Sequence, residues 1–114
     1  IRRPPRSTRF PYTTLFRSAL KINEEFTGSR YPSILAGDLN AVPGSVPIGI
    51  LEGIWGSAYD RERPAPTYPS GTPVRKIDYV MFRPAGSWRV ISSEVIQDSV
   101  ASDHCAYLVT LELQ

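Results

Sequence analysis

Apolar and polar positions along the chain change period several times, and each change marks an element. In "ALKINEEF" (residues 19–26) Leu20, Ile22 and Phe26 stand among polar residues, the spacing of a short, weakly amphipathic helix that closes near Gly28. The run "YPSILAG" then predicts a buried strand from Ser33 to Gly37, and "AVPGSVP" is turn chemistry. Ser45 is placed to cap a second helix, "VPIGILEGI", with Pro47 just inside its start. The Pro- and Gly-rich stretch "DRERPAPTYPSGTPVR" predicts a surface loop or a pair of turns. Three strands follow at Lys76–Phe82, Trp88–Ile96 and Cys105–Leu113. Alternation is clear in all three: Val90, Ser92, Glu94 and Ile96 oppose Ile91, Ser93 and Val95, and Tyr107, Val109, Leu111 and Leu113 oppose Leu108, Thr110 and Glu112. In "KIDYVMF" the same rule puts Asp78 on the face of Val80 and Phe82, where a charge is costly without a partner. The pattern is strand, helix, then three strands: one α/β layer pair.

The chain has 114 residues, 41% of them hydrophobic, enough for one modest domain, and no run approaches the roughly 20 apolar residues of a membrane span. Cys105 is the single cysteine, which excludes an intramolecular disulfide framework. The formal charge of +2 suggests an affinity for nucleic acid until its distribution is examined. Five arginines and no acid lie in the first 18 residues, "IRRPPRSTRFPYTTLFRS"; beyond them 8 basic residues face 11 acidic ones, a net charge of −3. Back-translated, this leader follows a short-read sequencing adapter in one frame, with a departure at Arg9. The expectation is a non-native, disordered leader over residues 1–18 and a domain over 19–114, the tail of a longer protein. A basic nucleic-acid arm is the rival, and it depends wholly on those 18 residues.

Three polar clusters sit at or beside strand ends: Asp38 with Asn40, then Asp78, then Asp103 with His104. Strand ends converge at a sheet edge, so residues far apart in sequence can meet there. Carboxylates and one imidazole suit phosphoester hydrolysis, in which a divalent cation bound by oxygen ligands neutralises the phosphate. Each cluster also has a plain reading. Asp38 and Asn40 fit the turn before "AVPG", Asp78 fits an ion pair with Lys76 or Arg75, and Ser102-Asp103 can simply shape the turn into the last strand. A His104–Cys105 thiol dyad fails because adjacent strand residues point to opposite faces. "GDLNAVPGS" lacks the repeated carboxylates and closing glutamate of a calcium loop. Cys105, Trp55 and Trp88 read as packing residues, and the "TYPSGTP" loop as either a border of the cleft or ordinary surface.

In this order, with the Thr-Tyr-Pro element between them, "GDLNA", "KIDYV" and "SDH" resemble the C-terminal portion of the endonuclease/exonuclease/phosphatase family. That resemblance covers residues 19–114 and implies a deoxyribonuclease I-like fold: the C-terminal half of a four-layer α/β/β/α sandwich with antiparallel or mixed sheets and flanking helices. It implies a Mg²⁺- or Mn²⁺-dependent phosphoesterase acting on a phosphodiester, with nucleic acid among the candidate substrates and no obligate protein partner. Asp38 would orient or deprotonate the attacking water, and Asn40, on the same side by strand periodicity, would hold the phosphate or that water. Asp78 would orient His104 and keep it protonated, His104 would contact the scissile phosphate, and Asp103 would help hold the metal. The family's remaining site residues, a metal-binding glutamate among them, come from an N-terminal half that has no match here. The resemblance therefore implies an inactive fragment of an active parent. The alternatives are a non-catalytic interaction module on the same scaffold, or a phosphomonoesterase- or sphingomyelinase-type member.

Overall fold

The computed structural model describes residues 10–114, with side chains from Thr14 onward. Helix α1 (Phe10–Phe26) leads into β1 (Ser33–Asp38), α2 (Val46–Glu52), β2 (Gly56–Ser57) and, after a long loop, β3 (Asp78–Arg83). A 3₁₀ turn at Ala85–Ser87 joins β3 to a hairpin of β4 (Trp88–Ile96) and β5 (Ala106–Leu113). The class is α/β with antiparallel pairing throughout, but the strands form two sheets: β1-β3-β2 and the β4-β5 hairpin.

Antiparallel register puts directly opposed residues on one face. Leu35 opposes Met81 and Gly37 opposes Tyr79; this face carries α1 and α2. The core there is Ala19, Ile48, Leu51, Trp55, Tyr79 and Met81. Trp55 donates its indole N–H to Asn23 Oδ1 at 3.1 Å, which pins α1 to the end of α2. The other face carries Ile34 opposite Phe82, Ala36 opposite Val80, and Asp38 opposite Asp78.

Helix α1 begins at Phe10, nine residues ahead of the expected start at Ala19. The apolar stripe explains it. Leu15, Ser18, Ala19 and Ile22 recur at helical spacing and line a small apolar gap of about 40 Å³ against Leu39, Ile48 and Leu51. Helix formation there reflects side-chain pattern, whatever the origin of the codons; the expectation for residues 1–9 lies outside the described residues.

Three further expectations change. Ser45 occupies the N-cap position of α2 without a side-chain cap; its hydroxyl donates back to Val42 O at 2.6 Å. Pro47, second in the helix, has no N–H, so one of the two amides that a cap serves is missing. In β4 the alternation breaks at Ile91, where a bulge lies between Val90 and Ser92. Val90, opposite Leu111, therefore shares a face with Ser93 and Val95 and not with Ser92 and Glu94. Finally, β2 is an addition: Gly56 faces Phe82 across the ladder, with no room for a side chain between them.

The two sheets are joined around Lys76. Its side chain is buried, its Nζ donates to Asp78 O at 2.6 Å, and it lies 3.9, 4.7 and 5.1 Å from the ring centres of Tyr107, Tyr79 and Tyr59. Tyr107 belongs to β5 and Tyr79 to β3, so one ammonium holds aromatic rings from both sheets. Burial pulls its pKa down to about 8, against the opposing pull of the Asp78 charge.

Urea unfolding followed through tryptophan fluorescence checks this packing. Met81→Ala, at a position with 0% exposure, should cost about 2–5 kcal/mol. In Gly56→Ala the new methyl would lie 2.5 Å from a Phe82 ring carbon, and the overpacking should cost about 1–3 kcal/mol. Ile91→Ala, at an exposed bulge position, should stay within about 0.5 kcal/mol.

Candidate functional site

Asp38 ends β1 and Asp78 begins β3, and the register sets them directly opposite each other. Two carboxylates so placed repel, and the arrangement requires a cation or a shared proton. His104, from the loop before β5, supplies a side chain that can carry a positive charge. Its Nδ1 lies 2.9 Å from Asp78 Oδ2, and its Nε2 lies 3.7 Å from Asp38 Oδ2. An ionised carboxylate only accepts, so Nδ1 carries the proton in that bond. Ligand atoms of Asp38, Asp78 and His104 all fall within 4.8 Å of one another, a possible metal-binding group. The hydrogen bond that His104 donates to Asp78 raises the His104 pKa, partial burial opposes it, and the charges of Asp78, Asp38 and Asp103 add to the rise.

The backbone around each member is fixed by local chemistry. Gly37 takes φ +144°, a conformation that side-chain-bearing residues rarely adopt, immediately before Asp38. Asp38 Oδ1 accepts the Asn40 N–H at 2.8 Å, an Asx turn, and Asn40 has φ +52°. Strand β1 ends at Asp38, so the strand periodicity expected to put Asp38 and Asn40 on one side does not extend to Asn40. The ladder's last bond is Leu39 N–H to Ile77 O at 2.9 Å, and the left-handed residue then turns the chain. The Asn40 carboxamide makes no hydrogen bond with the described residues. Asp103 is exposed and lies outside the close group of three; its carbonyl accepts the Ser70 N–H at 2.7 Å.

The loop from 60 to 75 borders the site. The Tyr68 ring lies 4.8 Å from the His104 ring at a tilt of 54°, with the Arg75 guanidinium 5.6 Å from the Tyr68 ring centre. Thr67, with 0% exposure, accepts the N–H groups of Ile77 and Asp78 through Oγ1 and the N–H of Cys105 through its carbonyl. Sequence reasoning left the "TYPSGTP" loop as either a border of the cleft or ordinary surface and gave neither Thr67 nor Tyr68 a role. The trace was there, in a Thr-Tyr-Pro run between two acidic motifs, but loops have no periodicity from which to infer an orientation. Lys76 was considered as an ion-pair partner of Asp78; it bonds instead to that residue's main-chain carbonyl. Cys105 is buried, as its reading as a packing residue expects. Beside the pair, Ala36, Gly37, Val80, Cys105 and Tyr107 line a cavity of about 210 Å³.

A sequence profile of the Endonuclease/Exonuclease/phosphatase family matches residues 2–104. The chain belongs to this family. Among solved structures it is similar to a functionally unknown conserved protein from Enterococcus faecalis V583, with a TM-score of 0.74 and 21% identity over 90% of this chain. It is also similar to an endonuclease/exonuclease/phosphatase from Bacteroides vulgatus, with a TM-score of 0.72 and 26% identity over 90% of this chain. A mannosyl-6-phosphatase from Bacteroides thetaiotaomicron shares the fold with a TM-score of 0.60, at 17% identity over 93% of this chain. The endonuclease/exonuclease/phosphatase chain spans 46%, 45% and 47% of those three chains in turn. No curated protein matches the sequence. No helix among the described residues is long and apolar enough to cross a membrane.

The pH dependence of the His104 environment follows from its raised pKa. The charged form is favoured in the fold, so its stabilisation is fully present below the unfolded value of about 6.5 and is lost as pH rises through the higher folded value. The chain has one histidine, so an NMR titration of its ring protons is unambiguous. The midpoint should lie above 6.5, and Asp78→Asn should lower it, because that variant removes the largest cause of the rise.

Proposed function

We propose that this chain is the C-terminal half of a four-layer α/β/β/α domain that hydrolyses phosphodiesters with Mg²⁺ or Mn²⁺. The observation that carries the reading is the imidazole of His104 held between two opposed carboxylates. In a phosphoesterase that ring stays oriented and cationic through Asp78 and donates from Nε2 to the scissile phosphate, stabilising charge as it develops. Asp38, half-exposed, orients or deprotonates the attacking water, an effect worth about 10²–10⁴-fold. Asn40, whose carboxamide makes no hydrogen bond with the described residues, holds the phosphate or that water.

The donor set fits a hard divalent cation. Mg²⁺ is bound through one or two carboxylates plus substrate oxygens; Asp38 would hold it, with Asp103, next to His104 in sequence, as the second carboxylate, while Asp78 stays committed to His104. A bound cation neutralises phosphate oxygens and stabilises the leaving oxygen. The half-domain reading is supported by the face of β1 and β3 that lacks helices, where Ile34 is 53% exposed, and by relatives about twice as long.

Bis-p-nitrophenyl phosphate hydrolysis tests the proposal. The 114-residue chain should show little or no turnover with Mg²⁺. In a full-length domain containing these residues, turnover should require Mg²⁺ or Mn²⁺ and stop with EDTA. His104→Ala and Asp38→Asn should each lower it by about 10²–10⁴-fold. A near-unchanged rate in either variant removes that residue from the mechanism. Preferential cleavage of p-nitrophenyl phosphate would move the reading to a phosphomonoesterase.

A further inference from the structure

The Asp78–His104 pair spans two sheets: Asp78 opens β3 in the three-stranded sheet, and His104 precedes β5 in the hairpin. β3 and β5 are not ladder neighbours, so regular strand pairing does not set the 2.9 Å separation of the pair. We infer that Thr67 sets it, as a positioning residue that ties the two segments to one point in the loop. The inference rests on the reading of Asp78 and His104 as the working pair.

Thr67 bonds to Asp78 and to the residue that follows His104. Its Oγ1 accepts the N–H of Asp78 at 3.3 Å and of Ile77 at 3.2 Å, which fixes the entry to β3. Its carbonyl accepts the Cys105 N–H at 2.8 Å, which fixes the peptide that leaves His104. Its own N–H donates to Arg75 O at 2.8 Å, closing the loop against β3, so the residue has little freedom to move. The side chain has 0% exposure, which keeps water from replacing these bonds. The neighbouring residues act in the same direction: Tyr68 packs its ring on His104, and Ser70 donates from its hydroxyl to Ser102 O at 2.6 Å. A surface loop without a role in the site would not carry a buried hydroxyl whose acceptor capacity is directed at the backbone of a site carboxylate. Hydrogen bonds weaken steeply with distance and misalignment, so a small drift between the two segments would break the Asp78–His104 bond.

The test uses this chain without metal or substrate, and reads the imidazole Nδ1 proton of His104 by NMR. In the wild type, that proton should give a slowly exchanging, downfield signal from its bond to Asp78. Thr67→Ser keeps Oγ1 and should keep the signal. Thr67→Val is nearly isosteric, removes the acceptor, and should lose the signal or shift it upfield while circular dichroism shows the fold retained. A folded Thr67→Val variant with an unchanged signal would overturn the inference, as would loss of the signal in Thr67→Ser. If Thr67→Val does not fold, native-state hydrogen exchange of the wild type decides. The Ile77, Asp78 and Cys105 amides should be protected to within about threefold of one another; a spread beyond about tenfold means that Thr67 does not couple them. A failed His104→Ala activity test would count against the functional reading alone, since the NMR signal reports geometry only.

Discussion

Two like charges face each other where β1 ends and β3 begins, and the arrangement of the site follows from compensating them. Asp38 and Asp78 are register partners at the last pair of an antiparallel ladder. Left alone they would repel, and Asp78 is more buried than Asp38, so less solvent screens it. His104 offsets the repulsion by bonding to Asp78 and approaching Asp38 with its other nitrogen. The same geometry that solves an electrostatic problem for the fold produces an oriented imidazole, its protonated form favoured, beside a half-exposed carboxylate.

Much of the surrounding structure keeps that ring in place. The loop between β2 and β3 sends Thr67 to the backbone of Asp78 and of Cys105, next to His104, and lays Tyr68 on the imidazole. Lys76 holds the Asp78 carbonyl and sits among tyrosines from both sheets. A buried ammonium loses hydration, and a hydrogen bond plus several ring faces return part of it; the pKa near 8 shows that the return is incomplete. A residue retained at that cost is consistent with a need to join the hairpin to the three-stranded sheet at this point. The helices contribute from the opposite face, where Tyr79 and Met81 anchor β3 in the core while Asp78, Val80 and Phe82 point away from it.

Membership of the family gives these residues a chemical setting, and the share of each related structure that the chain covers gives it a scale. The three-stranded sheet carries helices on one face and exposed apolar side chains such as Ile34 on the other. The 17% identity to a mannosyl-6-phosphatase carries the fold and nothing about substrate.

The sequence by itself determined the local elements and the polar clusters at their ends. A short apolar run located β1, and alternation located β3, β4 and β5 closely, because period 2 is a property of the strand alone. The ordered motifs around Asp38, Asp78 and His104 were enough to single out the residues that the fold brings together. Tertiary structure decided the rest. The opposition of Asp38 and Asp78 is a matter of register between strands 40 residues apart, which no local pattern encodes. The Asx turn at Asn40 and the bulge at Ile91 each broke an alternation that looked continuous, because a single backbone irregularity reverses which face follows. Helix α1 extended through Leu15 because α2 and Leu39 offered a surface for its stripe. Thr67 and Lys76 acquired their places from loop closure and burial, and loop residues have no period from which such a place could be read.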